Sequence, residues 1–190
     1  QLKPGEKPTE AQIAAGEAPA TPFSEAETVY RGLSGTMVAR QWPRMAAEDL
    51  LAYINSVHRE GLEPGEYGLE ALRAALATNN PAAIDHAATD SFLKLSAALA
   101  LGTVPMESRT DWHLKDEDLD GAQQFALMER AIAAGSVTPT LNSLLPTHLQ
   151  YTELKGVLAN AQDQETIDAA RVNLERWRWL PRELGERYVI

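Results

Sequence analysis

Residues 81–102, PAAIDHAATDSFLKLSAALALG, decide the fold class. Ile84, Ala88, Phe92, Leu95 and Leu99 recur three and four positions apart, which lines them up on one face of an α-helix. Pro81 suits the first turn, where a missing N–H is no loss, and Gly102 suits the stop. A helix this long, with an apolar face, needs other helices to bury it.

Those neighbours are legible on both sides. Upstream, Ala47, Leu50, Leu51, Ile54 and Val57 form one stripe across residues 44–60, with Gly61 placed to end it. The stretch Glu60-Gly61-Leu62-Glu63-Pro64-Gly65-Glu66-Tyr67 carries turn chemistry, and Pro64-Gly65 suits the centre of a type II turn. A helical hairpin follows, its second arm marked by Leu69, Leu72 and Leu76. Downstream, Phe125, Met128 and Ile132 mark a helix closing at Gly135. Tyr151, Leu154 and Leu158 mark another after Pro146, and Ile167, Ala170, Leu174 and Trp177 the last. Thirty alanines fit this reading, since alanine has the best intrinsic helix propensity. The expectation is an all-α bundle of about six helices.

Residues 1–24 differ in kind. Pro4, Pro8, Pro19 and Pro22 with Gly5 and Gly16 read as an extended Pro-rich arm or linker, leaving 25–190 as the helical domain. At 190 residues and 20.8 kDa the chain suits one hydrophobic core rather than two. It begins at Gln1, so a processed or truncated product is expected. Seventeen basic against 27 acidic residues leave a net charge of -10, which repels phosphates and anionic surfaces. Neither nucleic acid nor membrane insertion is expected. The absence of cysteine removes thiolate nucleophiles, disulfides and thiolate metal sites.

Candidate chemistry is thin. Asp116-Glu117-Asp118-Leu119-Asp120-Gly121 opens like an EF-hand calcium loop, but the twelfth position is Leu127 where a bidentate Glu belongs. The simpler reading is that Asp118 or Asp120 caps the helix carrying Phe125. His58, His86, His113 and His148 share no metal-ligand spacing. No nucleophile elbow or phosphate-binding glycine loop is present. Neither a catalytic residue nor a cofactor or metal ligand is assigned.

Arg176-Trp177-Arg178-Trp179-Leu180-Pro181 is the densest unusual patch. On a helix Trp177 and Trp179 lie about 200° apart, so both cannot join one core stripe. Pro181 disfavours helical geometry at Leu180 and should end the helix there. Packing beneath the arm, binding of a sugar or peptide, and docking against another domain are all open to these indoles. Docking also accounts for Arg187-Tyr188-Val189-Ile190, which reads as the start of a strand with no sheet to enter. Arg176, Trp177, Arg178, Trp179 and Tyr188 are therefore the candidate interdomain contacts. A chain whose tryptophan patch lacks its partner domain should self-associate, or fold its own arm over the patch.

The same residues carry a resemblance. Val172-Asn173-Leu174-Glu175-Arg176-Trp177-Arg178-Trp179-Leu180-Pro181, followed by Leu184-Gly185-Glu186-Arg187-Tyr188-Val189-Ile190, resembles the segment leading into the catalytic domain of the large periplasmic murein L,D-transpeptidases. The 60–67 hairpin, Ala100-Leu101-Gly102-Thr103-Val104-Pro105 and residues 145–154 are similar to that family's helical scaffold domain. The likeness spans roughly 40–190. It implies a non-catalytic scaffold in a periplasmic protein that cross-links peptidoglycan, with residues 186–190 leading into a catalytic domain absent from this chain. The partners implied are that domain in cis and, through the parent protein, peptidoglycan. The family's Ser/Thr-His-Gly-Cys motif is missing, so this chain alone should not catalyse. Also missing is the small peptidoglycan-binding module that usually separates the last two helices, in whose place stand residues 159–166. A stand-alone envelope interaction module, or a binder of glycan or peptide, is the competing expectation.

Overall fold

A computed structural model describes residues 41–105, 108–109 and 119–180. Among them are seven α-helices and no strand: α1 (Arg44–Ser56), α2 (Leu69–Thr78), α3 (Pro81–Leu101), α4 (Gly121–Ala134), α5 (Thr138–Asn142), α6 (Leu149–Asn160) and α7 (Gln164–Arg178). The all-α expectation holds. The arm at 1–24 and the strand start at 186–190 lie outside the described residues, as do Asp118, His113 and Tyr188.

α3 is the axis of the body. Eleven of its 21 residues are buried, too many for a single stripe, so it is covered on several sides by α1, α2 and α4. Asn80 caps its start, the side-chain oxygen accepting from Ala82 and Ala83 N–H groups at 3.0 and 3.4 Å. Trp42 seals the same end: its ring meets Phe92 at 5.9 Å and its indole N–H donates to Thr89 Oγ1 at 3.0 Å. Leu50, Ile54, Leu72, Phe92, Leu95, Leu99 and Met128 fill one apolar core whose members run from Trp42 to Leu144.

Three local expectations change. The helix over 44–60 stops at Ser56 and tightens into a 3-10 turn, Val57–Glu60, closed by Gly61 in the left-handed region at φ 78°. Pro64–Tyr67 winds as a second 3-10 turn rather than a type II turn, because the positive φ falls on Gly61 and Gly68 and not on Gly65. The additional helix, α5, is short and carries no cap of its own; Asp49 of α1 caps it from across the fold. The Asp49 carboxylate accepts from Ser136 Oγ (2.8 Å), Val137 N (2.7 Å), Thr138 N (3.0 Å) and Thr138 Oγ1 (2.8 Å). At α4 Asp120 forms a capping box. Gln123 N donates to Asp120 Oδ1, and Asp120 N donates to Gln123 Oε1, each at 2.7 Å.

α6 and α7 form an antiparallel hairpin on the flank of this body, packed mainly on each other and on the 57–60 turn. Tyr151, Ala170 and Leu174 are its buried apolar members, and they stand apart from the main apolar core. No described helix is long and apolar enough to cross a membrane.

Candidate functional site

Where the hairpin meets the body, the contact is ionic. Glu60 ends the first 3-10 turn and is 7% exposed, a degree of burial a carboxylate tolerates only when paired and hydrogen-bonded. Lys155 Nζ pairs with its Oε1, and the Tyr151 hydroxyl donates to its Oε2 at 2.9 Å. Arg178, the last residue of α7, is 2% exposed. It donates to the Glu60 backbone carbonyl and, at 3.1 Å, to the Tyr151 oxygen. Tyr151 thus relays between cation and anion, accepting from one and donating to the other. Burial drives its hydroxyl well above the usual tyrosine range, with Arg178 pulling back and Glu60 pushing further, so it stays a neutral donor.

A second carboxylate extends the clasp. Glu175 Oε2 accepts from Arg178 Nη1 at 3.3 Å. Its Oε1 accepts from the backbone N–H groups of Thr103 (2.6 Å) and Val104 (2.9 Å) and from the Trp179 indole (2.9 Å). Two free amides just past the end of α3 therefore close on a side chain of α7. Gly102 makes this approach feasible. At φ 82° it sits where L side chains are strained, and a Cβ there would lie 2.4 Å from Glu175 Oε1. Arg109 completes the corner: its guanidinium lies 4.9 Å from the Trp179 ring centroid and donates to the carbonyls of Leu101 (2.6 Å) and Val104 (3.0 Å).

The candidate contact residues are thus divided. Trp177 is half-buried and stacks on the His148 ring at 4.6 Å and 18°. Trp179 is half-buried on the other side, between Glu175 and Arg109. Arg176 is exposed, and Arg178 faces inward. The buried stripe of α7 is Ala170, Leu174 and Arg178, so an arginine occupies the inward place that spacing assigned to Trp177. The spacing of four was visible in the sequence; its last member was passed over because it is charged. Glu60, Tyr151, Lys155 and Glu175 were not anticipated as a unit, since 91 residues separate Glu60 from Tyr151. His148 caps α6, its Nδ1 accepting from Gln150 N at 3.2 Å.

Chemically the clasp is committed inward. Both oxygens of Glu60 hold donors from α6, while Glu175 holds the free Thr103 and Val104 amides on Oε1 and Arg178 of its own helix on Oε2. The result fixes α7, and the chain leaving it at Leu180, against the ends of α3 and of the 57–60 turn.

Residues 37–158 match the family model described as Scaffold domain. No curated protein and no solved structure matches the chain. The match takes in α1 to most of α6, well over half of the sequence, and the chain belongs to the Scaffold domain family.

Proposed function

We propose that this scaffold domain is the helical mount of an L,D-transpeptidase-like protein of the periplasm, acting in peptidoglycan cross-linking. The observation that carries the reading is the buried Arg178–Glu60–Tyr151 clasp with Glu175. Its two buried charges would cost several kcal/mol each if left unpaired, and the fold uses them to fix one thing, the exit of α7. A mount needs this: a following domain is placed only as well as the segment that leads into it. The likeness of residues 172–190 to the segment preceding a catalytic domain gives that exit its destination, and the half-buried Trp177 and Trp179 flank it.

The reading frame beyond Ile190 tests this directly. It is expected to continue into a domain carrying a Ser/Thr-His-Gly-Cys motif, and the protein so encoded should join muropeptides while residues 1–190 alone should not. A stop codon following Ile190, or cross-linking by the 190-residue chain alone, overturns it.

A further inference from the structure

On the far side of Glu60 a cleft of about 340 Å³ opens between α1, α5 and α6. Tyr53, Arg59, Glu60, Thr138, Asn142 and Lys155 line it. Its hydrogen-bonding capacity is lopsided. The carboxylate and amide oxygens are already engaged: Glu60 holds Lys155 and Tyr151, and the Asn142 carbonyl oxygen accepts from the Tyr53 hydroxyl at 3.0 Å. Two nitrogen donors are not. Arg59 is exposed and has no partner among the described residues, and the Asn142 amide N–H₂ has none either. Lys155, one-third exposed, has Glu60 as its single partner among the described residues. With the Tyr53 hydroxyl donating to the Asn142 oxygen, the free end of that amide is a donor.

Charge narrows the ligand further. Among the residues lining the cleft, Arg59 and Lys155 stand against Glu60, two cations to one anion. One negative charge balances the set and two exceed it. A planar carboxylate also matches the guanidinium fork, and an amide donor lining the same cleft suits its second oxygen.

We propose that this cleft binds a small monoanionic carboxylate, of the kind found at the end of a short peptide, through Arg59 and Asn142 with Lys155 at its edge. The site shares Glu60 and Lys155 with the clasp but neither Arg178 nor Glu175, and it holds whether or not the chain mounts a transpeptidase.

The probe is N-acetyl-alanyl-alanine, with its C-terminal amide as the matched neutral control, titrated into the ¹⁵N-labelled 190-residue chain. For a ligand this small the expected dissociation constant is on the order of millimolar. Resonances of the Asn142 side-chain amide and of the Arg59 backbone should shift. The amidated control and the Arg59→Gln variant should each bind about 10-fold more weakly, with Arg59→Lys recovering part of the loss. Arg59 is exposed, so the variants should melt with the parent, and the acid–amide comparison needs no variant. Equal binding of acid and amide, indifference to Arg59→Gln, tighter binding of inorganic phosphate, or no shift up to about 20 mM each overturns the proposal.

Discussion

The body and the α6–α7 hairpin are held by different forces. Around α3, apolar side chains from Trp42 to Leu144 make one continuous core, and burial there is non-directional and tolerant of salt. The hairpin adds Tyr151, Ala170 and Leu174, and its attachment runs through Glu60, Lys155, Glu175 and Arg178. Apolar burial decides whether the chain folds; a buried ionic clasp decides where one element sits, because its bonds are made in a single geometry. The body therefore supplies stability and the hairpin supplies position.

The largest effect belongs to the body. Phe92→Ala removes a fully buried ring from the axis helix and should cost about 4 kcal/mol, read as a lower denaturant midpoint at unchanged slope. A loss below about 1 kcal/mol would mean that α3 is not the axis.

Arg178→Leu should cost about 3 kcal/mol, since it leaves Glu175 without its cation and the Glu60 carbonyl without its donor. Amide exchange should rise across α6 and α7 while the centre of α3 stays protected. If both regions lose protection together, they form one cooperative unit and the contrast fails.

The smallest effect sharpens the comparison from within the body, where Asp49 makes a polar tie of its own. Burial alone would raise its pKa, but the bonds from Thr138, Ser136 and Val137 outweigh it and hold the carboxyl below the ordinary 3.8. On acidification the unfolded chain takes up this proton first. The stabilisation is thus present above the unfolded value and lost as pH falls through the folded one. Asp49→Asn should cost about 1 to 2 kcal/mol at neutral pH, and thermal melts from about pH 6 to about pH 3 should show a shallower acid loss than the parent. Parallel curves would remove Asp49 from the account.

Most of the fold could be read from spacing, and little of the clasp could. Ile84, Ala88, Phe92, Leu95 and Leu99 announce a helix because their periodicity is local, and Gly61, Gly102 and Gly135 mark stops for the same reason. α5 escaped notice because five residues hold too little periodicity, and its cap lies 89 residues away on Asp49. Tight 3-10 winding at 57–60 and 64–67 differs from helix and turn by a fraction of a turn, which residue type does not encode. Arg178 is the instructive case. Its register with Ala170 and Leu174 placed it inward, but a charged residue reads as solvent-facing until its partners are found, and these come from its own helix and two other elements.

The clasp also makes the opposite end of the hairpin a free end. Tyr151 and Lys155 grip the first turns and the middle of α6 and Arg178 the finish of α7, so the bend at residues 161–162 stands out at the tip of a lever. Foreign polypeptide spliced there would lengthen only an exposed bend, at a small and slowly growing entropic cost. A reporter, an affinity handle or an entire extra module could be carried at that tip while the root stays locked.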